Sequence, residues 1–298
     1  MGCILGTVER GINMITYSTE EAAKILGVNV STIKRWSASG KLNCIKTAGG
    51  HRKFEMQHLT EFVEKHRQAN ATISTIPIEN EEDLQLSEWI LKKKYDVLYK
   101  FTLKQALNNN RQRVLQILKG LYLAKIGLHE IYDGIVTPVL HEIGDLWEAK
   151  QISIIEEHFA SQTMKDSIIR LQSLIARPEI RKGVAMCMNL QNEMHDIPLK
   201  LVDHILEYRG YKVLYSGQIT PQIYLQNIIE DFGPKRIYIS GTYVKEIDQT
   251  QKELDLICDI AEKNSVDVFV GGQAFNLLNY EKPAVIDRLY TFQDVYEK

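Results

Sequence analysis

Between Lys34 and Lys53 the chain carries six basic side chains, Lys34, Arg35, Lys41, Lys46, Arg52 and Lys53, and no acidic one. Cations gathered this way within a chain of formal net charge −2 point to a polyanion contact confined to one module. Thr32, Lys34 and Arg35 fall at the start of a helical stretch, where side chains can reach base edges in a major groove. Thr47 and the pair Gly49-Gly50 then precede His51, Arg52 and Lys53. A glycine pair permits a sharp turn, after which those three side chains can meet phosphates or a minor groove. A lone Lys-Arg pair is more often a solvated helix face and a lone Gly-Gly-His-Arg just a turn, but their order and spacing together favour the binding reading. Trp36, one turn into the same helix, reads as core.

These residues need elements to hold them. Hydroxyls and early acids in Thr16-Tyr17-Ser18-Thr19-Glu20-Glu21 start a helix, Gly27 breaks it, and a second begins at Ser31, so a winged helix-turn-helix DNA-binding domain is expected over 14–67. Residues 68–83 lose periodicity, gather Asn, Thr, Ser, acids and Pro77, and read as a linker. Helical spacing then predicts helices at roughly 84–108, 111–125, 128–149 and 152–176, a four-helix bundle within 84–177. Over 180–298, short apolar runs at 183–190, 211–215, 236–240, 266–270 and 284–290 alternate with helix-length segments, which predicts a doubly wound, Rossmann-like parallel sheet. The fold class is multidomain, α and α/β. Trp147 closes the third bundle helix, while Glu157 and His158 lie about a turn and a half into the antiparallel fourth, so all three share one end. Glu193 with His195, Ser240 with Thr242, and Gly271-Gly272 follow strands, at the strand ends where open α/β sheets bind ligands.

The run Tyr17-Ser18-Thr19-Glu20-Glu21-Ala22-Ala23-Lys24-Ile25-Leu26-Gly27-Val28, with Ser31-Thr32-Ile33-Lys34-Arg35-Trp36 and Thr47-Ala48-Gly49-Gly50-His51-Arg52-Lys53-Phe54, resembles MerR-family transcriptional regulators across the whole module. Ile143-Gly144-Asp145-Leu146-Trp147, followed by Glu156-Glu157-His158-Phe159-Ala160-Ser161, resembles the helical cap of cobalamin-binding regulators of the CarH/LitR type. Glu193-Met194-His195, Ser240, Thr242, Gly271 and Gly272 are similar to the cobalamin motif of the same family. The resemblance implies that Trp147, Glu157 and His158 shield an upper axial adenosyl group. It implies that His195 ligates the cobalt of cobalamin, with Glu193 on its other ring nitrogen, and that Ser240, Thr242, Gly271 and Gly272 line the nucleotide tail. Two positions depart from the family. Pro198 stands three residues after His195 where the motif has Gly, and Glu148 follows Trp147 where light-sensing members have a His that captures cobalt. A bis-imidazole photoproduct through position 148 is therefore excluded.

The implied function is a repressor whose cobalamin state, with adenosylcobalamin as corepressor, sets oligomerisation and binding to a double-stranded DNA operator, with release by green light as in the family. One winged module contacts too few bases for strong specificity, so a homo-oligomer, dimer or tetramer, is expected. Two alternatives stay open. One is a cofactor-free regulator controlled by a protein antirepressor, which Pro198 favours; the other is a corrinoid methyl-transfer protein, which the winged module disfavours, so no enzyme is expected. Hydrophobic residues at 44% and charged residues at 25% exclude a fibrous or largely disordered chain. Cys3, Cys44, Cys187 and Cys258 have no CxxC spacing, which favours a reducing cytoplasm over a zinc site or disulfide framework. No apolar run approaches bilayer-spanning length, so no membrane is expected as a partner. Gly6 stands where a myristoylation motif after Met1-Gly2-Cys3 needs Ser or Thr.

Overall fold

Ser18 opens the first helix with a capping box: its hydroxyl accepts from the Glu21 amide, and the Glu21 carboxylate accepts from the Ser18 amide. The computed structural model describes residues 16–26, 28–47, 49–55, 58, 59, 61, 62, 76, 80–178, 182–190, 192–218 and 224–298. Met1-Gly2-Cys3, Gly27, Ala48, Pro77 and most of the expected linker lie outside them. Helix α1 (Thr19–Ile25) and α2 (Val30–Ala38) are joined to three short antiparallel strands, β1 (Thr16–Tyr17), β2 (Ile45–Lys46) and β3 (Arg52–Glu55), in the order β1-β3-β2. Ala22, Ile25, Leu26, Ile33, Leu42 and Phe54 form their core, and Trp36 packs on Phe62 with ring centroids 4.6 Å apart, as the sequence predicts.

The chain packs as two units that divide between Lys94 and Tyr95. The first bundle helix expected over 84–108 is two helices. One, α3 (Glu81–Leu91), is capped by Asn80 with Asp83 and sends Leu84 onto the core of the first unit. The other, α4 (Tyr95–Leu107), begins the second unit. Between them Lys93 adopts φ 49°, and the Lys94 amide bonds back to the Trp89 carbonyl at 2.9 Å, which ends the helical ladder.

In the second unit α4 joins α5 (Arg111–Leu123), α6 (Leu128–Ile131), α7 (Thr137–Glu148) and α8 (Ile154–Gln172). Because α6 runs into α7 through a π-helical turn, Tyr132–Val136, these make four rods. In that turn the Thr137 amide bonds to the carbonyl of Tyr132, five residues back. Pro138 follows; it has no N–H, and its ring would press on the carbonyl four residues earlier, which the widened turn relieves. The other breaks fall where expected, with Asn109 at φ 54° and Lys150 at φ 58°.

Beyond the bundle, β4 (Gly183–Asn189), β5 (Tyr211–Tyr215), β6 (Arg236–Ser240), β7 (Asp267–Gly271) and β8 (Val285–Leu289) form a parallel sheet in the order β5-β4-β6-β7-β8. Helices α9 (Ile197–Tyr208), α10 (Leu225–Phe232), α11 (Ile247–Lys263) and α12 (Phe292–Glu297) cross over or follow the strands. Chain order reverses between β4 and β6, so their carboxyl ends, Asn189 and Ser240, flank the crevice where such sheets take ligands. Bundle and sheet are bonded together: the Tyr132 hydroxyl meets His204 Nδ1 at 2.9 Å, and the Asp133 carboxylate accepts the Phe292 and Gln293 amides at 2.8 and 3.0 Å. Among the described residues no helix is long and apolar enough to cross a membrane.

Candidate functional site

In the first unit, Lys34 and Arg35 are exposed on α2 and Thr32 is half-buried beside them. Thr47, Gly50 and His51 are exposed on the wing tip, and Arg52 and Lys53 are half-buried on β3. Gly50 takes φ 78°, its amide bonds to the Thr47 carbonyl at 2.8 Å, and the Thr47 amide bonds to the His51 carbonyl at 2.9 Å. That closes the wing in the shape the glycine pair predicts. Lys46 lies directly across from Arg52 in the β2–β3 register. Like charges opposed in a ladder repel, a cost that phosphates would offset.

In the second unit the loop after β4 gathers its polar groups around one buried carboxylate. Glu193, 2% exposed, accepts from the His195 amide at 2.7 Å, His195 Nδ1 at 2.6 Å, and the Thr242 and Tyr243 amides after β6. Burial alone would push the Glu193 carboxyl up, but the bonds from His195, Tyr243 and Thr242 together hold it below its ordinary value. The same bond raises the His195 imidazole above its ordinary value; burial opposes it, and Glu157 and Asp196 add to it. With Nδ1 fixed on Glu193, Nε2 is the ring nitrogen left to point outward from a side chain that is 58% exposed. No cluster of three or more His, Cys, Asp or Glu that could hold a bare metal ion occurs among the described residues. A single oriented imidazole suits a metal whose other positions are filled by its own macrocycle.

Thr242 thus contributes through its backbone amide. Ser240 is buried at the end of β6. Gly272 has φ 102°, and a Cβ there would lie 2.2 Å from the Gly241 carbonyl oxygen, while the Gly241 amide bonds to the Gly271 carbonyl at 3.0 Å. The glycine pair therefore lets two strand exits pack backbone on backbone. A cavity of about 320 Å³ opens beside the loop, lined by Leu190, Asn192, Met194, Tyr243 and Val244 among others.

Helix α8 reaches this loop from the bundle. Lys165 forms a 2.7 Å ion pair with Asp196, next to His195. Two turns earlier Glu157 accepts from Ser161 at 2.6 Å and pairs with the exposed His158. Trp147 on α7 and Ile154, Ile155 and Phe159 on α8 are exposed large apolar side chains, as are Met194 and Tyr243 on the sheet side. Apolar groups left open on the cap and beside the His195 loop are what a large, flat, partly apolar ligand would cover. Sequence reasoning missed Asn189, Lys165 and Asp196. Asn189 is fully buried, its Nδ2 donates to the His195 carbonyl at 3.3 Å, and its Oδ1 has no partner. An Asn closing an apolar strand was the available signal.

Residues 16–67 match the model of the helix-turn-helix domain family, and residues 102–172 match that of the B12 binding domain. The chain is 21% identical over 271 residues to the HTH-type transcriptional repressor CarH of Myxococcus xanthus, covering 87% of this chain and 89% of that one. The fold resembles that of the monomethylamine corrinoid protein of Methanosarcina barkeri, with a TM-score of 0.57 and 15% identity, over 68% of this chain and 96% of that one.

Proposed function

We propose that this chain, which joins a helix-turn-helix domain to a B12 binding domain, is a cobalamin-controlled, DNA-binding transcriptional repressor. The observation that carries the reading is the His195–Glu193 pair, an exposed imidazole fixed by a buried carboxylate at the switch point of a parallel sheet. His195 Nε2 would take the lower face of the corrin, and Trp147, Glu157 and His158 would cover the upper. Ser240, Gly271 and Gly272 would border the tail, with Thr242 anchoring Glu193. When bound, adenosylcobalamin supplies a cobalt–carbon bond that light or chemistry can break. Pro198 does not weaken the reading: it occupies the first turn of α9, where a missing N–H costs no helical bond. The antirepressor alternative then rests on the proline ring alone, three residues after His195. Occupancy of the cap and sheet domain would set a surface on which copies of the chain assemble, and the assembled form would hold a repeated operator through Thr32, Lys34, Arg35 and the wing residues Thr47, Gly50, His51, Arg52 and Lys53.

The test is an absorption spectrum coupled to size-exclusion chromatography, on protein incubated with adenosylcobalamin in the dark and then in green light. A retained corrin, a larger dark assembly and loss of both in His195→Ala and Trp147→Ala are expected. Binding without a light response leaves a chemical sensor of cobalamin, and no retained corrin sinks the reading. Arg35→Ala should weaken operator binding by roughly 1–3 kcal/mol if it reads a base, measured as a shift in half-saturation at fixed salt.

A further inference from the structure

A second cavity, of about 510 Å³, opens at the amino ends of the strands, the opposite end of β4 from His195. It is lined by Arg177 and Pro178 beyond the end of α8, Lys182 just before β4, Tyr208 and Arg209 at the end of α9, and Tyr296 on α12. The strand β4 separates it from the His195 loop by roughly 20 Å of extended backbone. The described lining holds three cations and no carboxylate. Glu207, the acid beside it, is already occupied by the Arg177 guanidinium and the Gln172 amide, each at 3.0 Å.

Two observations give the ligand its chemistry. Arg209, half-buried in the cavity wall, pairs with no carboxylate among the described residues, and a guanidinium without a counter-charge calls for an acceptor, best of all an anionic oxygen. The rest of the wall is aromatic. Tyr208 and Tyr296 stand with ring centroids 6.5 Å apart and planes 31° apart, Tyr208 is 37% exposed, and the Arg209 guanidinium lies 5.7 Å from the Tyr296 ring. Ring faces and a guanidinium plane accept a planar base, while arginine forks and a lysine accept phosphate oxygens. The volume lies in the range of small-molecule sites.

We propose that this cavity binds a nucleoside phosphate, its phosphates on Arg209 and Lys182 and its base against the two tyrosines, with Arg177 held beside them on Glu207. The site is independent of the corrin reading and of the winged module. The experiment is fluorescence anisotropy of an N-methylanthraniloyl-labelled adenosine diphosphate titrated with the full-length chain at physiological salt. Saturable binding is expected, weakened about tenfold or more in Arg209→Gln and in Lys182→Gln. His195→Ala and Arg35→Gln should leave it within about twofold, and inorganic phosphate should compete only at about tenfold higher concentration than unlabelled diphosphate. Lys182 is exposed, so Lys182→Gln carries the test if Arg209→Gln does not fold. The proposal is overturned by absence of saturable binding up to millimolar protein or nucleotide, or by indifference to both substitutions. It is equally overturned by equal competition from inorganic phosphate, or by displacement with duplex DNA that Arg35→Gln abolishes.

Discussion

His195 and His204 stand nine residues apart, one in the loop after β4 and one inside α9, and their surroundings make opposite reagents of them. The first is exposed, bonded to a buried carboxylate, and held above its ordinary pKa chiefly by that bond. The second is fully buried between bundle and sheet, bonded to the Tyr132 hydroxyl, and driven down to about 3 by burial, with Lys200 and Arg177 adding to the shift. One is positioned to give a nitrogen to something outside the protein; the other joins two parts of it. Their contributions to stability run opposite ways. The raised His195 contributes stability that is complete below the ordinary histidine value and lost as pH rises through its folded one. The depressed His204 contributes stability that is lost as pH falls below the ordinary value toward 3.

The comparison breaks first at His195. His195→Ala should reduce corrin affinity by about 100-fold or more in equilibrium dialysis, whereas His204→Gln should leave it within about twofold. Glu193→Gln should cost about 10–100-fold in the same measurement, because it turns the imidazole loose and removes its counter-charge. It should also displace the pH dependence. Nε2 must be free of its proton to take cobalt, so affinity falls as pH drops through the raised His195 value, and without the Glu193 charge that edge moves to lower pH. For His204 the readout is urea unfolding between pH 6 and 4: the wild-type chain should lose up to about 1.4 kcal/mol per pH unit more than His204→Gln. The smallest effect belongs to Lys165→Met. Removing the half-buried ion pair to Asp196 should loosen corrin binding by about fivefold at most, and less at high salt.

What the sequence made legible follows from locality. The five strands lie within about a residue of their apolar runs, because alternation and flanking turn residues are written in the chain. Gly50 announced the wing turn. The break at Lys92–Lys94 was not: three lysines are ordinary helix residues, and nothing in them marks a left-handed position that Gly or Asn would advertise. In the site, His195 and Glu193 were readable two positions apart, whereas the bond from the Thr242 amide to Glu193 was not, since its partners are 49 residues apart. The Tyr132–His204 bond was beyond reach, since its partners are 72 residues apart and apolar periodicity names no partners. The cationic cavity was missed for the same reason, its walls coming from four separate segments.

The π-helical turn at Tyr132–Val136 sets the phase of everything that follows it on the same rod. An α-helix turns about 100° per residue, but the five residues of this wider turn rotate the chain about as far as four α-helical ones, so Trp147, three turns on, faces as it would with one residue fewer. Deleting Ile135 would restore an even winding and leave Trp147 facing nearly as it does, whereas deleting a residue from the α-helical stretch between them would swing it by about 100°. The exposed indole is in this sense a gear tooth, its timing kept by a slack turn in the thread below it.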